Sequence, residues 1–183
     1  AGTMYDAELR SKFQDSQDRI RSMALIHERL YRSENLARVS FGPYLHDLTT
    51  HMLQSYSAQD CAVDLKFQVD DIYLDIDTAM PCGLLVSELV SNALKHAFRD
   101  GTCGVIGIEL CYASDDQYRL SVWDDGVGFP LDFDYQQTSS LGLQLVNGLT
   151  SQLGGTIEVG QVNGTRFTIW FPRRVSSSLV EEQ

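Results

Sequence analysis

Glu88, Asn92 and Lys95, in the stretch ELVSNALKHAF (88–98), set a carboxylate, a carboxamide and an ammonium at i, i+4 and i+7. On a helix these fall on one stripe. The set is suited to orienting a nucleophile, ligating Mg2+ and touching a phosphate. Val86, Val90, Ala93 and Ala97 cluster almost opposite, which turns that apolar arc toward a sheet. A polar stripe opposite an apolar one is also what an ordinary solvated face looks like, and the stripe alone does not separate the two readings.

Two further stretches have the same double character. In DDGVGF (124–129), which follows the apolar run RLSVW, Asp124 stands where a strand ends. Its acceptor-only carboxylate suits an exocyclic amine such as that of adenine, and Gly126 and Gly128 let backbone approach a flat ring. A tight turn uses the same residues. In SSLGLQLV (139–146), Gly142 and Leu143 offer amides to a phosphate at the positive end of a helix, or simply begin one.

The elements that must position these residues can be traced along the chain. From about 6 to 33, Leu9, Phe13, Ile20, Met23 and Leu30 recur at steps of three and four, with Ser16 and His27 filling the gaps. That is a heptad seam, which buries against another helix. NLARVSFGPYL breaks the pattern, and a second helix is expected over 43–57 with Pro43 in its first turn. AVDLKFQVD and IYLDI read as strands, and a long helix capped by Asp77 or Thr78 carries the first stripe. CGVIGIELCY and QYRLSVWDD read as paired strands, LGLQLVNGLTSQLGG as a helix ended by glycine, and TIEVG with TRFTIWFP as a closing pair around QVNG. This order predicts an α+β fold, a two-layer sandwich with one mostly antiparallel sheet covered by helices on one face, preceded by a helical arm. The expected division is 1–41 for the arm, 42–174 for the globular domain and 175–183 for a polar tail. The irregular stretch from about 129 to 140 is expected to be a mobile lid.

At 183 residues the chain has room for one main core. Its net charge of −11 opposes nucleic acid as a partner. No stretch is long and apolar enough to contact a membrane as a span, which points to a cytoplasmic segment whose parent protein is free to be membrane-attached. Cys61, Cys82, Cys103 and Cys111 lack metal spacing and are expected to be buried reduced thiols, with neither zinc nor disulfides. His46 and His51 also lack metal spacing and read as surface or boundary residues, and Trp123 and Trp170 as strand packing.

The stretches occur together and in order, with Gly164-Thr165 further on. ELVSNALKHAF resembles the N box, DDGVGF the first glycine box, SLGLQLV the second and GTRFTIWFP the last motif of the ATP-binding fold shared by gyrase, Hsp90, histidine kinases and MutL. The likeness covers roughly 60–172 and implies a Bergerat-type sandwich binding ATP and Mg2+. It makes the stripe catalytic: Asn92 a Mg2+ ligand, Glu88 a base or orienting carboxylate, Lys95 and His96 phosphate neighbours. It further implies that Asp124 reads adenine, that Gly126, Gly128 and Thr165 line the pocket, and that Gly142 and Leu143 lie at the phosphates.

QDRIRSMALIHERLYRSENLARVSFGPYL is similar to the second dimerisation helix and linker of sensor histidine kinases of the HisKA_2 type. That resemblance implies a catalytic region that passes the γ-phosphoryl group of ATP to a histidine, for relay to the receiver domain of a response regulator, in a parent protein that is a homodimer through its dimerisation helices. The family's phosphoacceptor stretch, resembling HHRVKNNLQ, has no counterpart here. His27, in IHERL, is placed by the heptad toward a partner helix and reads as a packing histidine rather than the acceptor. Ser139-Ser140 depart from the glycines that often precede LGL. Two other readings remain at this point, an anti-sigma-factor type serine kinase, which has no reason to carry the arm, and a nucleotide-gated ATPase module, which needs a further domain.

Overall fold

The computed structural model describes residues 13, 16, 17, 20, 24, 28, 38–56, 63–98, 103–130, 140–161 and 163–173. Met23, His27 and Leu30 of the seam, most of the expected lid and the polar tail lie outside the described residues. Residues 13, 16, 17, 20, 24 and 28 of the arm are helical, and Phe13 and Ile20 stand exposed, as a seam does before it meets another helix.

Strand β1 (Val39–Ser40) leads into helix α1 (Phe41–Tyr56), followed by β2 (Val63–Val69), β3 (Tyr73–Leu74) and helix α2 (Ile76–His96). Then come β4 (Gly104–Ser114), β5 (Gln117–Asp124), helix α3 (Leu141–Gln152), β6 (Thr156–Gly160) and β7 (Arg166–Pro172). Five strands form one sheet in the order β2-β4-β5-β7-β6, parallel between β2 and β4 and antiparallel elsewhere. This is the expected α+β sandwich. β1 and β3 pair separately, Val39 opposite Leu74.

Period-two burial decides which face of the sheet is covered. Ile106, Ile108 and Leu110 of β4, Leu120 and Val122 of β5, and Phe167, Ile169 and Phe171 of β7 are buried in one core with Leu85, Val86, Leu89 and Val90 of α2 and Val146 and Leu149 of α3. The opposite face holds alternate residues: Trp123 donates its indole N–H to Glu109 Oε1 at 2.9 Å, and Arg166 binds Glu109 Oε2 at 3.0 Å. Trp123 thus packs on a strand, but through a polar cluster on the open face.

Three expectations are corrected. The cap of α2 is Asp75, whose Oδ1 accepts from the Thr78 amide at 2.8 Å, so Asp77 and Thr78 sit in the first turn instead. α1 begins at Phe41 rather than Pro43, because the linker's Val39 and Ser40 form a strand and the Phe41 amide donates to the Ile72 carbonyl at 2.9 Å. Cys103 is exposed and disulfide-bonded rather than a buried thiol; Cys82 and Cys111 are free. Among the described residues no helix is long and apolar enough to cross a membrane.

Candidate functional site

α2 is the spine of the site. It packs against both α1 and α3 as well as the sheet, so its residues are buried almost all round from Thr78 to Ser91. Glu88 is therefore buried at 6% exposure, which rules out the solvated-face reading for that residue. The polar stripe is turned toward the start of α3. A β-carbon added to Gly142 would lie 3.0 Å from Glu88 Oε2 and 3.6 Å from Asn92 Oδ1. With no side chain at Gly142, the positive end of α3 approaches this carboxylate and carboxamide closely.

The second wall is the end of β5. Asp124 is 8% exposed, and its Oδ1 accepts from the Gly126 amide at 3.0 Å and the Thr165 amide at 3.3 Å. Burial raises the pKa of its carboxyl; the two amides oppose that shift and Asp125 adds to it. The neighbouring Asp125 points elsewhere, its Oδ1 accepting from the Val105 amide at 2.7 Å. The DDGVGF turn leans on the end of α2, since the Val127 amide donates to the Ala97 carbonyl at 3.1 Å and the α-carbon of Gly126 sits against that same carbonyl.

Gly164, at φ +115°, packs its α-carbon on the Asp124 backbone, where any β-carbon would collide. Gly128 adopts φ +70° beside Gly164. Both are conformations that glycine takes at little cost. Asn163, at φ 53°, completes the turn that brings Thr165 to Asp124.

Between these walls lies a cavity of about 310 Å³. Of the residues singled out in the sequence, Asn92, His96, Asp124, Gly128, Leu143 and Thr165 line it. Gly126 supports Asp124 from behind, and Glu88 with Gly142 lies next to Asn92. Lys95, half-buried, is not among the lining residues. The sequence reading missed the apolar walls: Leu89, Ala93 and Ala97 on α2, Val122, Phe129 and Phe167. Ala93 and Ala97 also belong to the sheet-facing arc, and with Leu89 they recur at steps of four. Phe129 meets Phe167 edge to face at 6.0 Å between ring centres. A buried acceptor at the inner end, apolar walls and a helix start beside a carboxamide can hold a flat, amine-bearing ring with an anionic tail. Among the described residues no cluster of three His, Cys, Asp or Glu side chains could hold a metal ion by itself.

Residues 78–175 match the model of the histidine kinase-, DNA gyrase B- and HSP90-like ATPases, and residues 1–56 match the HisKA_2 histidine kinase model. Among curated relatives, the blue-light-activated histidine kinase 2 of Erythrobacter litoralis is 35% identical over 67% of this chain and 36% of its own length. The sensor histidine kinase PdtaS of Mycobacterium tuberculosis is 30% identical over 83% of this chain and 30% of its own. The chain thus spans about a third of the length of these relatives. Among solved structures, the histidine kinase domain of the Erythrobacter litoralis EL346 blue-light-activated kinase superposes with a TM-score of 0.77 at 29% identity, covering 86% of this chain and 74% of that one. The catalytic domain of the histidine kinase ThkA, at 22% identity and a TM-score of 0.57, shares the fold. With more than half of its residues in the first match and its N-terminal part in the second, this chain belongs to the histidine kinase-, DNA gyrase B- and HSP90-like ATPase family and carries a HisKA_2 histidine kinase segment.

Proposed function

We propose that this chain is the ATP-binding catalytic region of a two-component sensor histidine kinase, which transfers the γ-phosphoryl group of ATP to a histidine of the dimerisation region for relay to a response regulator. The observation that carries this reading is the placement of Asp124, a buried carboxylate at the inner end of a cavity whose other side holds Asn92 and the start of α3. Both amides bound by Asp124 fall on Oδ1, which leaves Oδ2 to accept from the exocyclic amine of adenine. Leu89, Ala93 and Phe129 offer apolar surface to the ring. Gly142 and Leu143 then meet the phosphates at the positive end of α3, with His96 at the rim.

The donor set fits Mg2+ arriving with the nucleotide. Mg2+ takes few protein ligands when phosphates supply the rest, and Asn92 offers a hard carboxamide oxygen with the Glu88 carboxylate close behind. Bound there, the ion would neutralise charge on the phosphates. In the transfer, a nitrogen of the accepting histidine attacks the γ-phosphorus, its bond to the β,γ-bridging oxygen breaks, and ADP leaves with that electron pair. Glu88, buried beside Asn92, orients that carboxamide. Lys95 serves the approach of the phosphates from the edge of the site. The arm favours this reading over the serine kinase and gated ATPase alternatives, since residues 1–56 match a histidine kinase model. Dimerisation through the arm, a receiver-domain partner and a cytoplasmic setting belong to the same proposal.

Titration with Mg-ATP tests it. Saturable binding that Asp124→Asn and Asn92→Ala each weaken is expected. Labelling by γ-labelled ATP should appear on a chain that includes the full dimerisation region, even when His27 is replaced by Gln. Label that depends on His27 would make that residue the acceptor.

A further inference from the structure

The first turn of α2, at the far end of the helix from Asn92, borders a second cleft of about 110 Å³ that shares no residue with the nucleotide cavity. Thr78 and Asn92 are about 21 Å apart along the helix axis, fourteen residues at about 1.5 Å each. Arg38 enters the cleft from the chain before β1, Arg173 from the end of β7, and Tyr73, Tyr112 and Tyr118 from β3, β4 and β5. Four distant parts of the sequence thus converge on the start of one helix.

Arg173 is held in place from several sides. Its amide donates to the Asp116 carbonyl at 2.7 Å, and its guanidinium lies 5.2 Å from the centre of the Tyr112 ring, which in turn packs on Tyr118 at 5.5 Å. Burial and Tyr112 raise the Tyr118 pKa, while Arg173 and Arg38 both act against them, so the two guanidinium charges bear on the same point. The nearby carboxylates are engaged: Asp75 Oδ1 by the Thr78 amide at 2.8 Å and Asp70 Oδ2 by the Tyr112 amide at 3.3 Å. Thr78 also lines the cleft. It is 3% exposed, and its Oγ1 is buried with no hydrogen-bond partner among the described residues. A buried hydroxyl without a partner costs free energy, and a ligand that accepts its proton removes that cost.

The Tyr112 hydroxyl donates to the Asp71 carbonyl at 3.5 Å, so its ring serves only to hold Arg173. We propose that this cleft is a binding site for a small oxyanion of the phosphate class, free or carried on a small molecule, held by Arg173, the Tyr118 hydroxyl and Thr78 Oγ1, with Arg38 at its edge. The Arg173 guanidinium, held by Tyr112, presents forked donors that match the geometry of a tetrahedral oxyanion, and Asp75 and Asp70 are each engaged by a backbone amide. Because the site joins the chain entering β1 to the end of β7, an anion bound there ties the arm's linker to the catalytic fold.

The test is an NMR titration of this chain with inorganic phosphate at constant ionic strength, with and without saturating Mg-ADP. Saturable shifts at Thr78, Tyr112 and Arg173 that persist with Mg-ADP are expected. Arg173→Gln should weaken the dissociation constant about tenfold or more, the scale of one charged hydrogen bond, with Arg173→Lys falling between. Thr78→Val should lose phosphate affinity without lowering the melting temperature, since the hydroxyl has no partner to give up. Glycerol phosphate in place of phosphate distinguishes the source: tighter binding marks a carried phosphate, equal binding a free one, and both support the site. Absence of saturable shifts, a constant unchanged in both Arg173→Gln and Thr78→Val, or loss of the response in Mg-ADP would overturn the proposal.

Discussion

Asp124 and Thr165 hold each other twice: the Thr165 amide donates to Asp124 Oδ1 at 3.3 Å, and the Asp124 amide donates to the Thr165 carbonyl at 2.9 Å. This clamp ties the end of β5 to the start of β7 at the inner end of the cavity, and fixes the carboxylate by backbone that a nucleotide does not have to rearrange.

Because burial raises the Asp124 pKa, its carboxylate protonates at a higher pH than an exposed aspartate. The folded state then binds a proton before the unfolded state does, so this group's penalty on stability is present above the folded pKa and is relieved as pH falls through it. Nucleotide affinity moves the other way, since a protonated Asp124 loses acceptor capacity. Calorimetric titration across the acid range should show affinity falling earlier in the wild-type chain than in Asp124→Asn.

Gly164→Ala places a β-carbon onto the Asp124 backbone at φ +115°. Strain and collision together should cost about 2 kcal/mol or more, a melting shift of about 4–8 °C for a chain of this size. Nucleotide binding should fail in the same variant, because the clamp on Asp124 opens.

Gly142→Ala separates stability from function. Alanine is favoured over glycine within a helix by up to about 1 kcal/mol, so the melting temperature should hold or rise. Its β-carbon at 3.0 Å from Glu88 Oε2 narrows the approach to Asn92, and Mg-ATP affinity should drop about tenfold, the scale of a single lost charged contact. A loss of stability without loss of affinity would remove α3 from phosphate binding.

Glu109 gives a test on the opposite face. Burial pushes its pKa up, but the Arg166 guanidinium, with help from the Trp123 indole and Arg119, outweighs that and lowers it. A depressed folded pKa contributes stability above the unfolded value, lost as pH falls through the folded one. The pair is partly solvated, so the effect is small, about 0.2–1 kcal/mol. Glu109→Gln should flatten this part of the acid limb and leave nucleotide binding unchanged.

Much of the site was legible because function there depends on residue types that also shape backbone. Asp124, Gly128 and Gly142 taken singly fit a tight turn or an ordinary helix start equally well, and it was the order of the stretches, with its likeness to the ATP-binding fold, that brought them together. Asp75 was misjudged because Asp77 and Thr78 offer the same capping chemistry within three residues, and only the geometry of the first turn decides between them. Leu89 and Phe167 were invisible as cavity walls, since an apolar residue facing a ligand and one facing the core have the same periodicity. The strand at Val39 and Ser40 is two residues long, too short for alternation to register. The Cys103 disulfide could not be read from spacing, because which cysteines meet is set by how distant segments come together.

Calorimetric titration of Mg-ATP into this chain and into Asp124→Asn tests the nucleotide site most directly. The expected result is one saturable site in the wild type, lost or weakened about tenfold or more in Asp124→Asn, with thermal stabilisation of about 2.7 kcal/mol at ligand 100-fold above the dissociation constant. Binding of equal strength in the two chains, or no heat and an unshifted melting curve in millimolar Mg-ATP, would contradict it.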